Sequence, residues 1–347
     1  MTGTASGSRS QSPAPQTAES VTGRVTTSTA SDISPYHPGE SELQTRVGVR
    51  EQAERMGRKL IRSYMPDEHQ ELFEKLNFIV VGSVDERGQR WASILVGVPG
   101  FMRSPDPSTL RIDALPSSFD PLSSALRPNA PLGLLGIEFA TRRRNRMNGW
   151  ISECDEGGFA VRVLQSFGNC PKYITPRKSV RVERAPQAPQ REGPVLSAQA
   201  RALIAEADTC FLASASLPVD GTPSQASPPH GVDVSHRGGP PGFIRVRDTW
   251  AEGSNGAADV LMMPDYRGNN AFNTLGNLLL EPGAGLTIFH PERGDLLSLT
   301  CRAELIWDGP ELERHPHAQR VLALHVVDGV WVPGALPLRF DLIGGAP

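Results

Sequence analysis

An internal repeat constrains the fold of this chain more than any other feature. Three segments recur in the same order: "NFIVVGSVDERGQ" (77–89) is matched by "CFLASASLPVDGT" (210–222), "VPGFM" by "PPGFI", and "RPNAPLGLLGIE" by "EPGAGLTIFHPE". Each match lies at a turn or a strand edge, and the second copy carries insertions. The repeat predicts two similar antiparallel β units that face each other as a pseudo-dimer, with space for a ligand between them.

The hydrophobic pattern predicts a mainly β (α+β) fold with helices before the first sheet. Turn residues at 85–88 and 157–158 predict hairpins, and residues 108–115 read as a strand. Asp120 is expected to cap a short helix that contains Pro121 in its first turn. Helices are predicted within 42–60, from Pro66 to Leu76, and over 197–207.

Composition divides the chain into four segments. Residues 1–35 are rich in Ser, Thr, Gly, Ala and Pro, and we expect a disordered tail because they hold few large apolar side chains. Residues 184–194, "RAPQAPQREGP", have the composition of a linker. The first β unit with its helices is therefore predicted over 36–183 and the second over 195–347.

Bulk properties exclude several classes of function. The 347 residues carry a net charge of −3 and four cysteines without a CxxC pair, so neither nucleic-acid binding nor a zinc site or disulfide framework is indicated. No apolar run approaches the ~20 residues that cross a bilayer, and we expect no secretory signal because the first residues lack its basic start and apolar core. We expect a cytoplasmic protein without membrane or nucleic-acid partners.

The segment "GVDVSHRGGPPGF" (231–243) predicts a phosphate site at a strand end. Ser235 offers a hydroxyl and Arg237 a guanidinium, and Gly238 with Gly239 lets backbone N–H groups approach an anion. His236 is compatible with a phosphate contact, a flavin contact or a structural role. The alternative is a polar strand end followed by a turn.

A second candidate lies in "PDYRGNNAFNTLGNLL" (264–279). We expect Asn269 or Asn270 to cap a helix, with Arg267 before it, so that a phosphate or a polar ring edge binds at the helix start. The polar side of this helix is predicted to hold Asn273, Thr274 and Asn277, and its apolar side Phe272, Leu275, Leu278 and Leu279. The alternative is a well-capped amphipathic helix.

An arginine cluster, "TRRRNRMNG" (141–149), follows a strand with buried character. We expect one or two of its arginines to contact an anionic ligand or cofactor, whereas the alternative is a solvated charged face. The candidates are Arg142, Arg144 and Arg146, beside Arg143.

Other kinds of active site are disfavoured. The sequence has no GxSxG, HExxH, GxxxxGK[ST] or GxGxxG after a strand. The histidines at 315, 317 and 325 lack a metal-binding spacing. Cys170, next to Pro171 and Lys172, is either a thiol of lowered pKa or a structural thiol under a turn.

The ordered motifs "RWASILVGVPGF", "GLLGIEFATRRRNRMNG", "SFGNCPKYI", "DVSHRGGPPGF" and "PDYRGNNAFNTLGNLL" resemble the pyridoxamine 5′-phosphate oxidase-like family of flavin-nucleotide-binding proteins. The resemblance covers the chain from about Pro35 onward. It implies tandem FMN-binding split β-barrels with FMN held non-covalently where the barrels meet. Ser235, Arg237, Asn270 and Thr274 match the phosphate-holding positions by order. "RGNN" replaces the family's Ser-Arg-Lys cluster, and the C-terminal substrate signature is absent, which argues against vitamin B6 oxidation.

The resemblance implies an FMN-dependent oxidoreductase that transfers hydride to or from a small-molecule substrate. NAD(P)H is a candidate electron donor, which the sequence itself does not identify, and a homodimer is the implied assembly. The alternatives are a deazaflavin in place of FMN, a haem-binding barrel, and a barrel that binds a cofactor without turnover.

Overall fold

Two antiparallel sheets of equivalent strand order dominate the structure. The computed structural model describes residues 1–4, 33–216, 229–247 and 258–344. Contacts divide the chain into Met1–Ile33 and Ser34–Pro347, and every helix and strand of the described ranges lies in the second body. The predicted disordered tail falls mainly on residues 5–32, which lie outside the described residues.

The N-terminal β unit is a seven-stranded sheet in the order β2-β1-β5-β6-β7-β4-β3. Tight turns join β1 to β2 and β6 to β7, as the hairpin signals predicted. Its strands are β1 (Phe78–Val84), β2 (Arg90–Val96), β3 (Met102–Asp106), β4 (Thr109–Ile112), β5 (Pro131–Glu138), β6 (Arg143–Asp155) and β7 (Gly158–Gly168).

The C-terminal β unit repeats that order along its main path, as β11-β10-β14-β15-β16-β13-β12. Each strand therefore has a counterpart in the other unit, which confirms the predicted mainly β fold with tandem split-barrel units after N-terminal helices. The strands are β10 (Thr209–Ser216), β11 (Gly231–Gly238), β12 (Arg245–Arg247), β13 (Val260–Tyr266), β14 (Gly283–Phe289), β15 (Leu296–Ile306) and β16 (Ala318–Val332).

Three short strands join the two units. β8 (Arg177–Arg181) pairs with β17 (Leu338–Leu342), so the segment after the first sheet is tied to the end of the second. β9 (Gln190–Glu192) forms within the stretch whose composition predicted a linker, and it pairs with β16. Proline-rich composition did not prevent this pairing because none of the three strand residues is a proline.

The helices lie near the predicted positions, with one break. The segment 42–60 forms the end of one helix and the whole of a second, because Gly48 at φ +73° interrupts the helical path. Pro121 occupies the N-cap of α4, while the Asp120 carboxylate accepts a hydrogen bond from the N–H of Leu122. The helices are α1 (Pro38–Arg46), α2 (Arg50–Leu60), α3 (Asp67–Lys75), α4 (Leu122–Ala125), α5 (Ala198–Glu206), α6 (Asn273–Leu280) and α7 (Pro310–Glu313).

The three largest clusters of buried apolar side chains are one core in each unit and one core between them. Alternation along the strands sends one set of residues into each sheet's own core and the other set toward the partner unit. The shared core includes Phe78, Phe139, Phe211, Phe289 and Phe340. Because this core is aromatic and buried, it holds the facing surfaces of the two sheets in fixed positions.

None of the helices in the described ranges is long and apolar enough to cross a membrane.

Candidate functional site

A pocket rich in basic side chains lies where the two β units meet. Five basic residues line it, and Asp265 is the one acidic residue that the described part of the chain contributes to the lining. We call it the cationic pocket. Its basic residues are Arg144, Arg146, Lys172, Arg237 and Arg320.

Arg146 crosses from one unit to the other at the base of this pocket. It extends from β6, and its Nη1 lies 2.7 Å from Oδ1 of Asp233 on β11. The same nitrogen donates to Oδ1 of Asn273, 3.2 Å away. Both charged side chains are buried, so removal of either would leave an uncompensated charge in the interior.

Two hydroxyls complete the network around Asp233. The Thr274 hydroxyl lies 3.1 Å from Oδ2 of Asp233 and 2.9 Å from the Ser235 hydroxyl. The Ser235 hydroxyl in turn lies 3.3 Å from the carbonyl of Leu212, to which it donates. Ser235 and Thr274 line the pocket, as predicted. Their hydroxyls, however, already form hydrogen bonds within the protein.

Asp265 on β13 holds two arginines at the opposite side. Nη1 of Arg237 donates to Oδ1 of Asp265 at 2.5 Å, and Nε of Arg320 lies 2.8 Å from Oδ2. Nε of Arg237 and Nη1 of Arg320 are buried and have no hydrogen-bond partner among the described residues. A buried guanidinium with an unused donor is costly unless a ligand satisfies it.

Arg144 and His236 lie side by side along the wall of the pocket. Nε of Arg144 donates to the carbonyl of Cys170 at 2.9 Å. Burial, together with the positive charge of Arg146, lowers the pKa of Arg144 to about 10, so it stays charged at neutral pH. Burial and the charges of Arg144 and Arg237 hold the pKa of His236 well below its usual range. His236 is therefore a neutral imidazole.

The ring of His236 packs between two phenylalanines of the shared core. Its centroid lies 6.1 Å from that of Phe139 and 6.0 Å from that of Phe211, both edge-on. Neither ring nitrogen has a hydrogen-bond partner within the described ranges. The neutral ring thus keeps both nitrogens available next to the cationic pocket.

The helix start at the pocket differs from the prediction. α6 begins at Asn273, and the residue at its N-cap is Phe272, in the left-handed region with φ 64°. The prediction that Asn269 or Asn270 caps this helix is therefore wrong, as is the placement of Phe272 inside it. Oδ1 of Asn269 instead accepts from the N–H of Ala271 in a local turn. Because Phe272 has a left-handed backbone, the helix cannot include it, and the N-cap moves two or three residues along the chain from the predicted position.

The polar side of α6 faces the protein rather than solvent. The Asn273 amide donates to the carboxyl group of Glu40 on α1, and the Asn277 amide lies 2.9 Å from Nε2 of His37. Burial raises the pKa of Glu40 to about 8, against the effect of its hydrogen bonds from His37 and Asn273. These contacts fix the first turn of α6 beside the arginines.

Two stacked tyrosines flank the mouth of the pocket. The ring centroids of Tyr173 and Tyr266 are 5.3 Å apart with an interplanar angle of 30°. The Tyr173 hydroxyl donates to the carbonyl of Arg267 at 3.1 Å. They give the cationic pocket an aromatic surface next to its basic groups.

The structure brings most of the predicted site residues together. Arg142 is exposed in the turn before β6 at φ 57°, and the exposed Arg267 also lies outside the lining. Sequence reasoning missed Asp265, Arg320, Tyr173 and Tyr266. The predicted residues that line the pocket are Ser235, His236, Arg237, Asn269, Asn270, Asn273, Thr274, Arg144 and Arg146.

Close approaches at two glycines show which residues of the two units correspond. A Cβ on Gly133 would lie 2.8 Å from Cα of Asp233, and a Cβ on Gly285 would lie 2.5 Å from Cα of Trp91. The first contact joins β5 to β11 and the second joins β14 to β2, which are equivalent pairs of strands. Trp91 therefore takes the place in one unit that Asp233 has in the other.

The place that the pseudo-symmetry relates to the cationic pocket, on the opposite side of the pseudo-dimer, lacks two of its basic groups. The same register places Leu95 on β2 where β11 has Arg237, and Ser298 on β15 where β6 has Arg146. Leu95 belongs to the core of its unit. The pseudo-dimer is thus asymmetric, and the described residues form the cationic cluster on one side only.

Comparisons with known proteins give only distant similarity. No protein-family model matches the sequence, and a search of curated proteins finds no match. The chain is similar to HupZ of group A Streptococcus (10% identity, TM-score 0.27), covering 40% of this chain and 99% of HupZ. It is similar to an FAD-binding protein of Mesorhizobium loti (12%, 0.25), covering 42% and 99%. A third similar structure is HutZ, the haem storage protein of Vibrio cholerae (15%, 0.25), covering 39% and 93%.

Proposed function

We propose that the cationic pocket binds FMN and that the protein is an FMN-dependent oxidoreductase. The observation that carries this proposal is the pair of buried donors without a partner in the described ranges, Nε of Arg237 and Nη1 of Arg320. Unused guanidinium donors beside a helix start favour a phosphate, which accepts several charge-assisted hydrogen bonds at once.

The phosphate is expected at the arginine side of the pocket. Arg237 and Arg320 already share Asp265, so one carboxylate neutralises only part of their charge. Arg144 adds a third positive charge, and the first turn of α6 presents backbone N–H groups near them. Ser235 and Thr274 position this wall through the hydrogen bond between them, the contact of Thr274 with Asp233 and the bond from Ser235 to the carbonyl of Leu212.

The ring system is expected next to the aromatic and amide groups. FMN, when bound, supplies hydride transfer, which requires no acid or base from the protein. Tyr173 and Tyr266 offer an aromatic face to a planar ring, and the Asn270 side chain offers an amide to a polar ring edge. The neutral His236 adds a hydrogen-bonding group without adding charge.

The asymmetry of the pseudo-dimer sets the expected stoichiometry. Because Leu95 and Ser298 replace two of the arginines at the corresponding position, that position has no cluster of cations to hold a phosphate. We therefore expect one FMN per chain.

The test is the absorbance spectrum of the purified protein, followed by a fluorescence titration with FMN. We expect saturation at one FMN per chain, competition by inorganic phosphate, and reduction of the bound flavin by NAD(P)H with reoxidation by an added acceptor. Failure to take up FMN would refute the cofactor assignment. Uptake without turnover, across donors and acceptors, would leave a binding protein instead of an enzyme.

The state of His236 favours haem as the second candidate. A neutral imidazole with unused nitrogens is a common metal ligand, and basic residues would pair with haem carboxylates. The same spectrum separates the two candidates, since haem gives a Soret band and FMN does not. Haem binding that persists in His236→Ala would show that His236 is not the ligand of the haem iron.

A further inference from the structure

A second pocket adjoins the cationic pocket and is lined very differently. One face of α2 forms its outer wall, where Ala53, Met56 and Leu60 follow helical spacing after the N-cap residue Val49. Phe167 at the end of β7 lines it as well. We call it the apolar pocket. Its volume is about 210 Å³.

The two pockets are adjacent. Asn269, Asn270 and Asn273 line both of them, so these amides stand at the boundary. The ring of Phe167 in the apolar pocket lies 5.4 Å from the guanidinium carbon of Arg146 in the cationic pocket. A molecule in the apolar pocket would therefore be separated from one in the cationic pocket by no more than these shared side chains.

The lining of the apolar pocket specifies the chemistry of its occupant. No charged side chain of the described ranges lines it, and its polar groups are amides and the phenol of Tyr36. Burial, with the nearby carboxylates of Glu40 and Glu54, raises the pKa of Tyr36 to about 12, so the phenol stays neutral. A charged ligand would lose its hydration here without gaining an ionic partner, which disfavours it.

Two apolar side chains at the rim are otherwise in water. Met56 is 48% exposed and Leu60 is 41% exposed, although both lie on the helix face that lines the pocket. An apolar ligand would cover them and remove their surface from water, which is favourable. An engineered apolar cavity of about 150 Å³ accepts benzene, so the larger volume here suits a molecule of one or two rings.

We infer that the apolar pocket binds a neutral, mainly apolar small molecule of one or two rings, which is the substrate that meets the cofactor at the asparagine boundary. The role as substrate rests on the proposed function, but the binding of such a molecule does not. The three asparagine amides are the groups expected to hydrogen-bond a neutral polar atom of that molecule.

The experiment uses the full chain and 6-propionyl-2-dimethylaminonaphthalene, a neutral two-ring probe whose fluorescence rises in apolar sites. The probe is titrated into wild type, Met56→Asp and Val98→Asp, with and without FMN. Val98 is 65% exposed and lies outside the pocket, so its variant is the matched control. Circular dichroism and the melting temperature check that each variant folds.

We expect one saturable probe site and a dissociation constant raised about tenfold or more in Met56→Asp, because a carboxylate at the rim must be desolvated. Val98→Asp should stay within about twofold of wild type. An absence of saturable binding, or equal effects of the two variants, would overturn the inference.

FMN uptake in the same samples separates this inference from the proposed function. Probe binding without FMN uptake would refute the flavin assignment and retain the apolar pocket. FMN uptake without probe binding would refute the apolar pocket alone.

Discussion

Replacement of Arg237 by alanine tests the phosphate assignment most directly. The variant removes one of two guanidinium groups that share Asp265, and with it a buried donor that has no other partner within the described ranges. A hydrogen bond to a charged group contributes about 1.5–3 kcal/mol. The dissociation constant for FMN should therefore rise roughly 10- to 150-fold.

The fold is expected to survive this change because Arg320 continues to neutralise Asp265, with 2.8 Å between the nearest atoms. Arg142→Ala is the matched control, since it removes another arginine of the predicted site that is exposed and outside the pocket. The assay is a flavin fluorescence titration at two salt concentrations. Unchanged affinity in Arg237→Ala, or equal losses in both variants, would show that the phosphate binds elsewhere or only through diffuse attraction.

Three further predictions concern stability and access. Glu40 has a folded pKa of about 8, above its unfolded value, so the fold binds the extra proton and its stability should fall from pH 6.5 to 8; Glu40→Gln should flatten that slope in thermal melts. Gly133→Ala should cost about 1–3 kcal/mol in urea unfolding because its Cβ would meet backbone of β11, whereas Gly168→Ala, with 3.8 Å of clearance, should cost less; equal costs would contradict this packing. Bound FMN should slow alkylation of the pocket residue Cys170 by iodoacetamide but not that of the exposed Cys154, and mass spectrometry would reveal unprotected Cys170 if the site is wrong.

The repeat made the equivalence of the two sheets predictable, but not the pairing of charges across the units. Short matched segments at turns and strand edges are sufficient to predict two equivalent sheets, because each match lies at a local signal. Arg146 and Asp233, in contrast, are far apart in sequence, and each reads as an ordinary polar residue in its own strand. Their contact depends on how the two sheets face each other.

Arg320 shows what the sequence does contain and pattern reasoning overlooked. It lies in "AQRVLALHVV", where alternation places it among inward-facing positions, and its guanidinium lies 4.9 Å from the rings of Phe272 and Trp307. An arginine at an inward position of a strand needs a partner, which is a usable signal. The left-handed backbone of Phe272 had no such signal, because an aromatic residue rarely adopts that conformation.

The asymmetry between the two β units has a consequence for how this protein can vary. In a dimer of identical chains every substitution is made twice, so a residue must suit both the ligand-binding side and the opposite side. Here Leu95 can serve as a core residue while its counterpart Arg237 lines the cationic pocket. One side of the pseudo-dimer is thereby free to adapt to packing while the opposite side adapts to chemistry.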